Sequence, residues 1–410
     1  MFNSHLISYS LVIICVLYLM LALTIRLKMQ FWRTQPVFHF YNLTYWLNPP
    51  GVINKEPPPV NKYVNLVNTK LLNLSAPETP QVKLQKICQF IKEYYVLHPS
   101  ASYSPSAEDI LAYLQSTNQP SFFNVYEEPT FLLENGVPSG TIDEELIGVA
   151  SARVLNLTLR KKKQIAFPVY YIDNLCVKPG YRKKGIPPQL IQTFYYTIAR
   201  ANPKVNAYMF KREGKLSAIM PMVHYETHSI DITHFQTDYV LNSAMTLLTI
   251  KEQQLTLLVA FIQEQKPNFD CIILPDVSAL VHLIKLEKLL AYGILLGNEL
   301  IAAYIFRPLE LYYEGKKTME CIAIISKCKS HEVLVAGFNM SLLKEKAQRV
   351  ADSVAASDIL LIEGTAHSQP VIEALLKNTT VFKKFTSPTA FYLYNYACYS
   401  FKKERTLLIY

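Results

Sequence analysis

Segments typical of β-strands and α-helices alternate twice along the chain, and this alternation restricts the fold more than any other feature. In the first half, apolar runs at 146–159 and 165–177 predict strands, and an amphipathic segment at 188–201 predicts a helix. The second half repeats the pattern, with a hairpin predicted at 293–306 that turns at Gly297-Asn298, strands at 319–325, 359–363 and 391–396, and helices at 255–265, 331–350 and 371–377. We therefore expect an α/β (α+β) fold in which two related units share one sheet system.

The segment before the first predicted strands is rich in proline. Residues 48–80 contain seven of the chain's 24 prolines, which predicts an extended, irregular arm. Helices are predicted at 82–95 and 106–114, the second with Ser106 and Asp109 as N-terminal signals. The charged residues 160–163 predict an exposed turn between two strands.

The N-terminus predicts a membrane anchor. No formally charged residue precedes Arg26, and residues 6–25 include only Ser8, Ser10 and Thr24 as polar members. About 20 apolar residues are enough for a helix to cross the hydrocarbon layer. The alternatives are a secretory signal peptide and a buried core helix, but neither a basic leading segment nor a small-residue cleavage site is present. Residues 1–29 are thus expected to form a single-pass transmembrane helix.

The distribution of charges and cysteines predicts the compartment of the chain after residue 29 and the class of ligand that it binds. Basic residues follow the apolar run and none precedes it, so the positive-inside rule places the rest of the chain in the cytoplasm. Seven cysteines without a Cys-x-x-Cys pair are consistent with reduced thiols there. The formal net charge of +9 favours phosphates or an anionic membrane face, and we expect no nucleic-acid partner.

One segment predicts a specific ligand chemistry. A strand ends at Val177, the turn Pro179-Gly180 follows, and the basic residues 182–184 then precede a helix. Free backbone N–H groups and the positive end of the helix dipole meet there, which suits a pyrophosphate. The alternative is a basic turn ahead of an ordinary helix.

The same segment resembles the acyl-CoA-binding motif of the N-acetyltransferase superfamily, which reads Arg-x-x-Gly-x-Gly/Ala. Arg182 and Gly185 match this motif, whereas Pro187 stands where the last small residue is expected. Since proline has no N–H, this change removes one donor from the predicted phosphate cradle.

Four segments resemble the eukaryotic N-myristoyltransferases within this superfamily. Residues 30–37 read Gln-Phe-Trp-Arg-Thr-Gln-Pro-Val, similar to that family's Phe-Trp-x-Thr-Gln-Pro-Val signature. Residues 174–177 align with its Phe-Leu-Cys-Val segment, and the aromatic residues 391–396 and the apolar end 407–410 resemble its C-terminus. The resemblance implies a duplicated N-acetyltransferase-like fold, with an acyl-CoA-binding half at 30–225 and a peptide-binding half at 226–410.

The resemblance also implies roles for individual residues. The α-carboxylate of Tyr410 is expected to be the catalytic base, and the main-chain N–H groups of Asn174 and Leu175 are the expected oxyanion donors. Tyr95 and Tyr103 are expected to contact the peptide. The expected acyl-CoA contacts are Gln30, Phe31, Trp32, Cys176, Val177, Arg182, Lys183, Lys184, Gly185, Ile186 and Pro187.

The implied activity is transfer of a myristoyl group from myristoyl-CoA to the N-terminal glycine of protein substrates. Myristoyl-CoA is then a co-substrate, and neither a permanent cofactor nor a metal is expected. The histidines at 224 and 228 have a zinc-like spacing, but the surrounding sequence predicts strand or turn.

Two alternatives remain open. One is another acyl-CoA-dependent N-acyltransferase or N-acetyltransferase. The other is a catalytically inactive, membrane-tethered acyl-CoA-binding homologue. Two features favour the second alternative. Residues 384–390 are predicted to be a short loop, and they lack the glycines and the aspartate of the family's peptide-reading loop. The segment near Lys211 also differs from the family's.

Overall fold

A computed structural model describes residues 2–28, 30–76, 80–134, 137–160, 163–215 and 217–410. The α-helices in these ranges are α1 Phe2–Lys28, α2 Leu43–Leu47, α3 Gln81–Tyr94, α4 Ala107–Gln115, α5 Ile186–Ala201, α6 Leu255–Gln265, α7 Val277–Lys285, α8 His331–Ala351 and α9 Gln369–Lys377. The strands are β1 Gly51–Val52, β2 Thr69–Asn73, β3 Ala101–Tyr103, β4 Phe122–Glu134, β5 Val137–Arg160, β6 Gln164–Val177, β7 Tyr208–Glu213, β8 Val223–Asp231, β9 Met245–Ile250, β10 Cys271–Leu274, β11 Leu290–Leu296, β12 Glu299–Tyr313, β13 Lys316–Ser326, β14 Ile359–Glu363, β15 Phe382–Tyr394, β16 Tyr396–Ala397 and β17 Thr406–Leu408.

The duplication predicted from the alternation is present in the sheet. In the first half, antiparallel strands β4, β5 and β6 are followed by α5 and by β7, which pairs with β6 in parallel. In the second half, antiparallel strands β11, β12 and β13 are followed by α8 and by β14, parallel to β13. Both units belong to one continuous sheet, so the predicted α/β fold is confirmed.

The C-terminal segment joins the two units. β15 lies between β7 of the first unit and β8, and β17 pairs in parallel with β10, which itself pairs with β5. Hydrogen bonding continues past β17, where the Ile409 N–H donates to the Ile273 carbonyl. The terminal Tyr410 is consequently only 1% exposed and lies among the strands of both halves.

Helix α5 covers the first unit with the apolar stripe expected from its sequence. Leu190, Phe194, Tyr195 and Ile198 are all buried. The helix begins at Ile186, two residues earlier than the sequence indicated, because proline is tolerated in the first helical turn. Helix α4 begins with a capping box, in which the Ser106 side chain and Asp109 bond to each other's backbone N–H.

Two sequence predictions require correction. The proline-rich arm is not irregular throughout, since β2 pairs with β4 from Thr69↔Tyr126 to Asn73↔Phe122. Residues 384–390 do not form a loop. They belong to β15, which pairs with β8 from Phe382 to Phe391 and with β7 on its other side only from Thr389 onward. Residues 161 and 162 of the predicted turn lie outside the described residues.

The apolar N-terminal run forms one helix, as predicted. Its segment Ile7–Thr24 has a mean hydropathy of 2.3, and none of it is buried in the rest of the protein. The length and composition suffice to cross a membrane. The predicted boundary between 225 and 226 falls inside β8 and remains a prediction.

Candidate functional site

Two cavities meet beside the end of β6. The first, which we call the apolar cavity, has a volume of about 320 Å³ and is walled mainly by aromatic and aliphatic residues of β6, β7 and α5. The second, the polar cleft, has a volume of about 210 Å³ and lies between β3, α4 and β12. Tyr95, Asp173 and Asn174 line both cavities, so a ligand in one can contact a ligand in the other there.

The aromatic arm after α1 forms part of the apolar cavity. Trp32 lines the cavity and stacks on Phe210, with ring centroids 5.8 Å apart. Phe31 packs edge-on against Trp32 at 5.2 Å. Buried Gln35 anchors the arm by accepting a 2.5 Å hydrogen bond from the Tyr394 hydroxyl. Gln30 is exposed and is not among the residues that line the cavity.

A β-bulge places Asn174 and Leu175 at the junction of the two cavities. The register of β5 and β6 passes from Val149↔Cys176 to Ser151↔Asp173, so neither bulge residue has a partner across the ladder. Asn174 has a left-handed φ of 52°, and its N–H donates to the Asp173 carboxylate at 2.7 Å. One of the two predicted oxyanion donors is therefore already hydrogen-bonded.

The segment from 177 to 188 forms an open cradle at the N-terminus of α5. Lys183 and Gly185 have φ angles of 64° and 80°, and left-handed residues within a turn are typical of the backbone nests that bind anions. A Cβ atom added at Gly185 would meet nothing within 4 Å. No described residue therefore fills the space directly beside Gly185.

The basic residues of this cradle are exposed. Arg182 donates from Nε to the Val177 carbonyl at 3.0 Å, and the Lys184 ammonium lies 4.6 Å from the Tyr181 ring centroid. Pro187 removes a first-turn donor, as predicted, and Pro188 removes a second.

Three residues that the resemblance assigned to acyl-CoA binding have side chains in the core. Cys176 packs with α3 and α4, whereas Val177 and Ile186 pack against Leu190. Their side chains are at most 5% exposed. Any contact that they make with a ligand must therefore use the backbone, as in the cradle.

A buried ion network surrounds Tyr410. The Lys211 ammonium lies 2.8 Å from Glu363 and 3.2 Å from Glu320, and it donates to the Tyr410 hydroxyl at 2.8 Å. The hydroxyl donates in turn to Glu363 at 2.6 Å. Arg307 pairs with Glu320 and donates from Nη1 to the main-chain oxygen of Tyr410 at 3.3 Å.

This network connects the cavities through Tyr410, since Lys211 lines the apolar cavity and Arg307 lines the polar cleft. Burial alone raises the pKa of Glu320, but Arg307 and Lys211 outweigh it and lower that pKa to about 2. Glu363 is fully buried, and burial raises its pKa despite the opposing effect of Lys211.

Some residues of the site are predictable from the sequence, and others are not. Tyr95 and Tyr103 both line the polar cleft, and their contact with a peptide stays a prediction. Asp173, Arg307 and Glu320 were not predicted, because no local pattern distinguishes them from charged residues at a strand surface. These three residues lie far apart in the sequence, and only the pairing of the strands places them close to one another.

The histidine pair is not a metal site. His224 and His228 lie on β8, where four residues span roughly 13 Å, too far for two ligands of one metal ion. Among the described residues, no group of three or more His, Cys, Asp or Glu side chains is arranged to hold a metal.

Comparison with known proteins gives structural similarity without sequence similarity. No protein-family model and no curated protein matches the chain. Solved structures of Saccharomyces cerevisiae N-myristoyltransferase with bound myristoyl-CoA do match. One has a TM-score of 0.64 at 15% identity and covers 91% of this chain and 94% of that one. A second has a TM-score of 0.66 at 15% identity, with 92% and 90% covered.

A third structure, of the same yeast protein with myristoyl-CoA and inhibitors, has a TM-score of 0.63 at 14% identity and covers 91% of each chain. The similarity extends over both halves of the sheet and is not confined to the cradle and its helix. The chain therefore has the N-myristoyltransferase fold, as the sequence motifs predicted.

Proposed function

We propose that this protein transfers a myristoyl group from myristoyl-CoA to the N-terminal glycine of protein substrates. One observation carries the proposal. An open, basic cradle and an apolar cavity lie on the two sides of the β6 bulge, and a separate polar cleft reaches the same bulge. The solved structures of the same fold contain bound myristoyl-CoA.

Each part of an acyl-CoA then has a matching surface. The diphosphate binds the cradle through backbone N–H groups and the cations Arg182, Lys183 and Lys184. The acyl chain occupies the apolar cavity beneath Trp32, whose volume is in the range of ligand-binding pockets. The thioester lies at the bulge, where Leu175 and Asn174 supply N–H groups to the oxyanion. Asn174 must first release Asp173.

The acceptor amine enters through the polar cleft. Its nitrogen attacks the thioester carbonyl carbon, the amide bond forms, the C–S bond breaks, and CoA leaves as the thiol after proton transfer. The main-chain carboxylate of Tyr410 is the proposed base. Arg307 orients it at 3.3 Å, and the buried side chain of Tyr410 holds the terminal residue in place.

A second candidate is an inactive acyl-CoA-binding protein. Two observations favour it: the Asn174 N–H is already bonded to Asp173, and residues 384–390 form a strand where the family has a glycine-containing loop. This candidate keeps the acyl-CoA site and lacks turnover.

We further propose that α1 anchors the protein in a membrane with the remaining chain in the cytoplasm. The arm at Trp32 begins only a few residues after Lys28, which ends α1. The apolar cavity then lies close to the bilayer. Resistance to alkaline carbonate extraction, together with protease access to the 30–410 region on the cytoplasmic side, is expected. Release into the carbonate supernatant would reject the anchor.

The transfer proposal is tested with the full chain in detergent micelles, myristoyl-CoA and a library of glycine-initiated peptides. Mass spectrometry is expected to find a myristoyl amide at the N-terminal glycine, and none on matched alanine-initiated peptides. Parallel reactions with acetyl-CoA test the short-chain alternative. Binding of myristoyl-CoA without any modified peptide would establish the inactive protein instead.

A further inference from the structure

The polar cleft contains a buried cation that forms no ion pair with a carboxylate of the described residues. Arg153 on β5 lines the cleft and is only 4% exposed. Its Nη1 atom is buried, and no acceptor in the described part of the chain hydrogen-bonds to it. Among the same residues, no carboxylate lies within 4.0 Å of its guanidinium. Burying an unpaired charge is strongly unfavourable, so this arrangement calls for a ligand.

Aromatic rings hold the guanidinium in position without neutralising it. Its central carbon lies 5.0 Å from the ring centroid of Tyr113 and 5.4 Å from that of Tyr171. These cation–π contacts fix where the side chain lies. They leave its hydrogen-bond donors available for a planar, bidentate acceptor such as a carboxylate.

The other cations of the cleft already have carboxylate partners. Lys288 pairs with Asp109, and Arg307 pairs with Glu320. Arg153 therefore differs from its neighbours, because an anion that entered the cleft would not have to displace a protein carboxylate from it.

An unpaired anion lies across the same sheet face. Ser151 is opposite Asp173 and Arg153 is opposite Tyr171, so Arg153 and Asp173 are diagonal neighbours about 7–8 Å apart. Asp173 accepts hydrogen bonds from the Tyr95 hydroxyl at 2.8 Å and the Asn174 N–H at 2.7 Å. No Lys or Arg among the described residues pairs with it within 4.0 Å.

We propose that the polar cleft is a subsite for an acceptor that carries a carboxylate a short distance from its amino group. The carboxylate binds Arg153, and the ammonium approaches Asp173, at the junction with the apolar cavity. This inference rests on the proposed function and narrows its substrate class. The incoming ammonium would compete with the Asn174 N–H for the Asp173 carboxylate. The Asn174 N–H would then be free to bind the oxyanion.

The required chemistry occurs in two kinds of acceptor. One is a glycine-initiated peptide with an acidic side chain near its N-terminus. The other is a free amino acid, whose α-carboxylate takes the same place. In both, the amine nitrogen forms an amide with the acyl carbon, the C–S bond breaks, and CoA takes up the proton released by the amine.

The experiment compares matched acceptors on the full chain in detergent micelles. The acceptors are glycine-initiated peptides with glutamate at the second, third or fourth position, the same peptides with glutamine, and free glycine. Wild-type protein is expected to have a KM about tenfold or more lower for one glutamate peptide than for its glutamine match, or to acylate free glycine. Equal KM values throughout, with free glycine inert, would overturn the inference.

Variants separate the role of Arg153 from general effects on folding. Arg153→Met is expected to remove the carboxylate preference, and Arg153→Lys to keep part of it. Arg160→Met is the matched control on the same strand, because Arg160 bonds to Pro267 and Gln164 outside the cleft. Arg153→Met is also expected to unfold at the same or a higher temperature, since it removes an unpaired buried charge. A retained preference in folded Arg153→Met would reject the subsite.

Equilibrium binding of the same peptides, measured calorimetrically without turnover, distinguishes the two proposals. Glutamate-selective binding that depends on Arg153, without any transfer, supports the subsite and rejects the transferase. Transfer to glycine peptides without carboxylate preference supports the transferase and rejects the subsite.

Discussion

The Lys211 ammonium donates a hydrogen bond to the Tyr410 hydroxyl at 2.8 Å. Lys211 forms part of the wall of the apolar cavity, and Tyr410 is the last residue of the sequence. The contact fixes the side chain of the terminal residue, while Arg307 binds its main-chain oxygen. The proposed base is therefore held at two points, and its position depends on a network that joins both halves of the sheet.

Extending the chain beyond Tyr410 is expected to stop transfer and to spare ligand binding. A Gly-Ser extension converts the terminal carboxylate into a neutral amide, and loss of a general base typically costs 10²–10⁴-fold in rate. Single-turnover transfer and myristoyl-CoA affinity are measured on the same preparation. Transfer at the wild-type rate by the extended chain would rule out the carboxylate as the base.

Tyr410→Phe is expected to lower turnover more than its effect on stability explains. The change removes hydrogen bonds to Glu363 and from Lys211, at a cost of about 1–3 kcal/mol in the free energy of unfolding. Tyr292→Phe is the matched control, because its buried hydroxyl bonds to Glu345 at 2.5 Å away from both cavities. The control is expected to lose similar stability with normal turnover. Equal turnover of the two variants would contradict the positioning role.

The cradle is expected to bind the CoA portion through its charges. Lys183→Gln is expected to weaken CoA binding by about two- to fivefold, the effect of one solvent-exposed charge pair, and to reduce the salt dependence of binding. Myristate binding is expected to stay unchanged. Lys204→Gln serves as the control, since this exposed lysine follows α5 at its other end. If both variants bind CoA equally, the cradle is not the diphosphate site.

The stability of the ion network is expected to fall in acid. The folded-state pKa of Glu320 is depressed from 4.5 to about 2, so its stabilising effect is present above about pH 4.5 and is lost as the pH falls toward 2. At pH 7, Glu320→Gln is expected to lower the free energy of unfolding by about 3–5 kcal/mol, because Lys211 and Arg307 lose a partner. Urea unfolding should show this difference shrinking between pH 5 and pH 3. A constant difference over that range would contradict the assignment.

Local sequence patterns were sufficient for the parts of the site that are continuous in the chain. The cradle at 177–188 depends on glycine, proline and a helix start within a dozen residues, and the arm at 30–37 is one short motif. The hairpin turn at Gly297 was equally local, with a φ of 62° that favours glycine. In the structure, the first is a junction between β6 and α5, the second places Trp32 in the wall of the apolar cavity, and the third is a turn between β11 and β12.

Features set by distant pairing were not predictable in this way. Arg153 resembles any charged residue on a strand until the register with β6 places it opposite Tyr171 and diagonal to Asp173. Residues 384–390 contain a proline and several polar side chains, which are typical of a loop. Pairing with β8 from Phe385 to Ala390 nevertheless keeps them extended, and on the other side the Pro388 carbonyl accepts a hydrogen bond from the Gly214 N–H.

The central claim is that the acyl chain of an acyl-CoA lies beneath the aromatic arm, and titration of myristoyl-CoA onto the full chain tests it most directly. Trp32→Ala is compared with Trp46→Ala as its control. Trp46 is the other tryptophan of the chain, is 41% exposed and is not among the residues lining the apolar cavity. We expect Trp32→Ala to weaken myristoyl-CoA binding roughly 10- to 100-fold, as for an aromatic anchor that the ligand covers, and Trp46→Ala to bind like wild type. Absence of binding to the wild-type protein, or equal affinity of the two variants, would contradict the account.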